Sequence, residues 1–199
     1  MSYLSPTIQA PIITPILKID KPVRRISIDK FLEKYRKGTN GFKLEWNDGL
    51  IEKTIAMKQS ENYISQNLLI LFIQLGLQSD GMLLQEVEVW TSEIQWRKPD
   101  MAYFTQSQIR LGADKTNTIP EFVIEVISTF DPINVVTTKV NEYFKAGVKV
   151  LWHIFPEQKM VYVFHSPKHI SVFEAEELCR ASPVLPTYAI SVNDIFKKI

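Results

Sequence analysis

The chain has 199 residues, 45% of them hydrophobic and 23% charged, which suits one globular domain with a substantial core and excludes wholesale disorder. A formal net charge of +1 gives no bulk electrostatic drive toward nucleic acid, so any such contact requires a local basic patch. The single cysteine, Cys179, excludes an internal disulfide and a cysteine-rich zinc centre and fits a reducing, cytoplasmic compartment.

Residues 1–22 hold Pro6, Pro11, Pro15 and Pro22 and have no basic region ahead of their apolar residues, so they read as an extended arm rather than a secretory signal or a membrane helix. Residues 23–199 read as a single domain. Ser27 followed by Ile28, Phe31, Leu32 and Tyr35 predicts a capped helix over about 28–37, ended by Gly38. The run FKLEWNDGLIEKTIAM alternates apolar and polar residues around Asn47-Asp48-Gly49 and predicts a β-hairpin. From Ser60, the stripe Tyr63, Ile64, Leu68, Leu71, Phe72 and Leu75 predicts a helix that covers a sheet. Its apolar core, LLILFIQLGL, is too short to span a bilayer, and no membrane association is expected.

Three strands are predicted next, MLLQEVEVW, DMAYF and FVIEVIS, with a loop at 112–118 between the last two. Asp131-Pro132 predicts a helix start, with Ile133, Val136, Val140, Tyr143 and Phe144 as its buried stripe, Lys139 at the edge of that stripe and Gly147 at its end. The strands KVLWHIF and MVYVFH, a shorter run at 170–173, an irregular segment and a short helix capped by Ser191 complete the chain. The class is α/β or α+β, a mixed central sheet flanked by helices.

Glu125 stands inside the apolar strand PEFVIEVIS, sharing a face with Val123 and Ile127. A buried carboxylate protonates, pairs with a cation or binds a metal, because an isolated buried charge costs roughly several kcal/mol. Asp100, at the head of DMAYF, and Lys139 are the candidate partners. Two carboxylates near one sheet end suit Mg²⁺, which takes oxygen ligands and needs no histidine. The structural alternatives are that Asp100 caps a turn and that Lys139 and Glu125 form an ion pair without catalysis.

LEWNDGLIEKT, RKPDMAYF, PEFVIEVIS and KVNEYFKAGVKVLWHIFP together resemble the PD-(D/E)xK nuclease superfamily, and more closely the Uma-two family of restriction-endonuclease-like proteins, over about residues 26–164. The resemblance implies a restriction-endonuclease-like core and hydrolysis of phosphodiester bonds in nucleic acid, DNA favoured. It further implies Mg²⁺ (or Mn²⁺) on Asp100 and Glu125, the main-chain carbonyl of Val126 and Glu45 as further ligands, and a homodimer. Ile127 occupies the lysine position of the superfamily's Glu-x-Lys, and the resemblance implies that Lys139 supplies that ammonium from the following helix. Ser128-Thr129-Phe130, Asn62 and Phe155 also depart from the family pattern. Arg97, Lys98 and Lys58 are the candidate contacts to a nucleic-acid backbone. The alternative is a nuclease fold that serves as a catalytically inactive binding or assembly module.

Overall fold

The computed structural model describes residues 24–38 and 41–198. The arm expected at 1–22 lies outside the described residues.

Chain order begins with helix α1 (Ile28–Lys34), whose cap Ser27 accepts from the Lys30 amide, and the hairpin of β1 (Phe42–Asn47) and β2 (Leu50–Ile55). Asp48 and Gly49 both have positive φ, 46° and 84°, the backbone that a two-residue hairpin turn with the twist of its strands requires. A single 3₁₀ turn leads into α2 (Asn62–Gln74), and Gly76 follows in the left-handed region. The expected strand MLLQEVEVW is two strands, β3 (Gly81–Gln85) and β4 (Val89–Ser92). Glu86 at φ 49° separates them and sends them to different sheets.

Then come β5 (Gln95–Arg97), β6 (Met101–Thr105), α3 (Gln106–Ala113), β7 (Phe122–Val126), α4 (Ile133–Ala146), β8 (Val150–Phe155), β9 (Met160–Ser166) and β10 (His169–Glu174). A hairpin of β11 (Leu178–Ala181) and β12 (Leu185–Ser191) occupies the segment expected to be irregular, and α5 (Val192–Ile195) follows it. Ser191 caps α5 as expected, its hydroxyl accepting from the Asp194 amide.

The central sheet has strand order β10-β9-β8-β7-β6-β3. Its pairs are antiparallel except β7 with β8, which run parallel because α4 carries the chain back between them. Period-two alternation gives the sheet two apolar faces. Phe122, Ile124, Trp152 and Ile154 pack with Ile64, Leu68 and Phe72 of α2 and with the β11–β12 hairpin. Ala102, Val123 and Leu151 pack with Val140 and Tyr143 of α4. A second sheet, β2-β1-β5-β4, has its own apolar cluster of Leu44, Trp46, Trp96 and Phe31 of α1. No helix of the described residues is long and apolar enough to cross a membrane.

Candidate active site

The chain passes from the small sheet to the central one across Lys98 and Pro99, so Arg97 at the end of β5 and Asp100 at the head of β6 stand on either side of the crossing. Glu125 lies near the end of the adjacent β7 and, by alternation, on the α4 face with Val123. On α4, Val136, Lys139, Val140 and Tyr143 follow the 3, 4, 7 spacing and are all buried. Lys139 therefore lies within the buried stripe rather than at its edge, whereas Ile133, expected in the stripe, is 69% exposed. From the small sheet, alternation along β1 aims Lys43 and Glu45 the same way while Leu44 and Trp46 enter the apolar cluster. Five elements, β1, β5, β6, β7 and α4, thus deliver charge to one buried place.

Glu125 is 3% exposed, and both of its oxygens are held. Oε1 pairs with Lys139 Nζ at 2.5 Å and accepts from the Tyr143 hydroxyl at 2.7 Å; Oε2 accepts from Lys43 Nζ at 3.0 Å. The same Lys43 Nζ donates to Asp100 Oδ1 at 2.8 Å, and Asp100 Oδ2 accepts from the Val126 amide at 2.7 Å. One ammonium therefore bridges the two acids singled out in the sequence. Behind it, Glu45 pairs with Lys139 at 3.2 Å and accepts from the Lys98 amide at 2.8 Å. Arg97 ties Glu45, Glu52 and Glu142 together, its Nε donating to Glu142 at 2.7 Å.

The electrostatics follow from this crowding. Burial alone would raise the pKa of Glu125, but Lys139 and then Lys43 hold it well below the usual carboxylate range. Glu45 is lowered as well, burial being outweighed by Lys139, Arg97 and Lys43. Burial alone would strip Lys43 of its proton, yet the charges of Asp100, Glu125 and Glu45 hold its pKa well above the ordinary lysine value. Asp100 remains raised, because burial and the neighbouring Glu125 outweigh Lys43. His153, beside Glu125 on β8, is pushed down to about 4 by burial and stays neutral near pH 7.

Two expectations change. Arg97 is fully buried and committed to three carboxylates, so its guanidinium is not free to meet a phosphate backbone. Glu45 does not gather with Asp100 and Glu125 as a third acid, because Lys139, Arg97 and the Lys98 amide occupy its oxygens. Among the described residues no group of three or more His, Cys, Asp or Glu is placed to hold a metal ion. Lys98 pairs with Glu86 at 2.6 Å and Lys58 with Glu61 at 3.8 Å, both outside the buried network. Lys43 and Tyr143 were not expected in it.

The acid pair nevertheless fits a hard divalent cation. Asp100 and Glu125 already present one oxygen each to a single positive centre, and two carboxylates are the number that Mg²⁺ commonly takes while keeping its waters. Beside them is a cavity of ≈ 10 Å³, lined by Lys43, Thr54, Glu125, Asp131, Lys139 and His153 among others. Thr54, 7% exposed, is one of its lining residues and carries a buried hydroxyl with no hydrogen-bond partner. Room for about one water beside an unpartnered buried hydroxyl marks a polar, hydratable place.

A solved structure described as a "putative nuclease belonging to DUF820 from Anabaena variabilis ATCC 29413" superposes with a TM-score of 0.70 at 20% identity, over 86% of this chain and 97% of that one. That likeness shows a shared fold. The comparison with curated proteins finds no match. The family model described as "Uma2: Putative restriction endonuclease" matches residues 28–193, which include β1, the Lys98–Pro99 crossing, β7 and α4. The chain therefore belongs to the Uma2 family of restriction-endonuclease-like proteins.

Proposed function

We propose that this chain is a divalent-metal-dependent nuclease that hydrolyses phosphodiester bonds in DNA, with Asp100, Glu125 and Lys139 as its catalytic residues. The observation that carries the reading is the meeting of Asp100, Glu125 and Lys139, far apart in sequence, in one buried cluster. Five carboxyl groups, Glu45, Glu52, Asp100, Glu125 and Glu142, face three cations there, Lys43, Arg97 and Lys139, so acidic groups outnumber basic ones in the cluster. A buried ion network is weak as a stabilising device, since apolar residues of similar volume are often as stable or more so. Its retention in a sheet favours a functional use.

Asp100 and Glu125 would hold Mg²⁺ or Mn²⁺, with the Val126 carbonyl as a further donor. When bound, such an ion polarises a phosphate and lowers the pKa of a bound water. The Val126 amide fixes Asp100 and the Tyr143 hydroxyl fixes Glu125, so neither carboxylate needs to reorganise on loading. Lys139 supplies a compact charge 2.5 Å from Glu125, suited to orienting the attacking water or countering charge that builds on the phosphate. Glu45 holds Lys139 from behind as a positioning residue. Lys98 and Lys58 are the proposed contacts to the nucleic-acid backbone, and a homodimer would place two such sites on a duplex.

Plasmid DNA, single-stranded DNA and RNA incubated with purified protein and Mg²⁺ test the reading. Cleavage of DNA is expected, with Lys139→Met slower by about 10²-fold or more. Equal cleavage by Lys139→Met, or none by the wild type, would contradict it.

A further inference from the structure

Lys43 is the one member of the acid cluster whose place conflicts with the proposed metal. Its Nζ lies 2.8 Å from Asp100 Oδ1 and 3.0 Å from Glu125 Oε2, bridging one oxygen of each acid. An ammonium and a divalent cation cannot both occupy that position, because both are positive and both need the same lone pairs. A second observation shows where the ammonium has room to go. Thr54 is the cross-strand partner of Lys43 in the β1–β2 ladder, lines the same small cavity and offers an unpartnered buried hydroxyl oxygen. The Lys43 stem is long and unbranched, so its head can swing by rotation about side-chain bonds with the strand fixed.

We propose that Lys43 is a resident counter-ion of the metal seat: a divalent cation entering between Asp100 and Glu125 displaces its ammonium into the Thr54-lined cavity, where it serves a substrate phosphate. This rests on the metal-dependent reading above and adds a role for a residue outside the acid, acid, lysine set. Without metal, Lys43 keeps two buried acids paired and the fold intact, which explains how the chain carries the site in its core. With metal, the displaced charge enters a cavity whose lining also includes Ile55 and Asp131. Metal binding then competes with an internal ion pair, so the wild type binds more weakly than the ligand set alone would allow.

Calorimetric titration with Mn²⁺ of the full chain, its Lys43→Met and Lys43→Gln variants and Asp100→Asn tests this without reference to activity. Lys43→Met and Lys43→Gln are expected to bind Mn²⁺ about tenfold more tightly than the wild type, or better, and Asp100→Asn to lose binding. Circular dichroism establishes that each variant is folded. Equal or weaker affinity in both folded Lys43 variants overturns the displacement while leaving the metal site standing; no binding by any of the proteins overturns the metal-dependent reading itself. A crystal structure of the wild type grown with Mn²⁺ covers the case in which the Lys43 variants fail to fold. Mn²⁺ between Asp100 and Glu125 with the Lys43 ammonium moved off both carboxylates is the expected result. Mn²⁺ bound while Lys43 keeps both contacts, or no Mn²⁺ there, overturns the proposal.

Discussion

At Glu125, two ammonium groups and a phenol hydroxyl replace the water that a carboxylate normally requires. Arg97 performs the same service for Glu45, Glu52 and Glu142, and there the fork geometry is needed, because three acids are reached from one guanidinium. Arg97→Met should therefore lower stability by about 3–5 kcal/mol in urea unfolding, leaving buried carboxylates without a partner, and Arg97→Lys should restore only part. His153 makes a pH-dependent contribution. Unfolded, it takes up a proton near its ordinary 6.5; folded, only near 4, so stability falls as pH drops through that window. On the order of 3 kcal/mol is lost across it, and His153→Gln should flatten the acid limb of a stability curve measured by urea unfolding. Glu125 acts in the same sense, its depressed pKa withdrawing stability as acid protonates it. Asp100, Glu125 and Lys139 were legible in the sequence because charge inside apolar periodicity is costly and must be answered. Lys43 was not, because alternation in FKLEWN looks the same whether the polar face meets water or another sheet.

Among the elements, the β1–β2 hairpin covers the cluster, and besides its ion pairs it is held to the turn after β7 through Asp131. Asp131 accepts from the Ile55 amide at 2.8 Å through Oδ1 and from the Ser128 amide at 2.9 Å through Oδ2. The sequence pattern assigns Asp131 to capping a helix with proline in its first turn. In the structure Pro132 is the cap position, and the Asp131 side chain ties β2 to the turn after β7 instead. The site is nearly closed, with Asp100 and Glu125 each 3% exposed. Asp131→Ala should open the region without touching the acids, seen as faster amide exchange along β2 and a stability loss of about 1–2 kcal/mol. Element types were readable where periodicity ran long, as in α2, α4 and the β8–β9 hairpin. The split of MLLQEVEVW turned on a single positive φ at Glu86, a tertiary choice that a non-glycine residue does not advertise. Helix α3 was hidden because QSQIRLGA is short, although its capping box of Thr105 and Gln108 was a usable signal.

Across the whole molecule, two sheets and a helix converge on one buried set of charges, and the chain's near-neutral total conceals it. The concentration of acids on the α4 face could not be foreseen from composition, since β1, β5, β6, β7 and α4 contribute to it from separate stretches. Family membership fixes the fold and a nuclease-like class; the arrangement of Asp100, Glu125 and Lys139 supplies the chemistry proposed for it. The most direct measurement is thermal denaturation of the wild type and of Asp100→Asn across a Mg²⁺ titration. At about a hundredfold excess over the dissociation constant, binding contributes about 2.7 kcal/mol, and the wild-type Tm should rise by several degrees while Asp100→Asn does not respond. An unchanged Tm in the wild type at millimolar Mg²⁺, or the same rise in both proteins, would contradict a metal seat between Asp100 and Glu125.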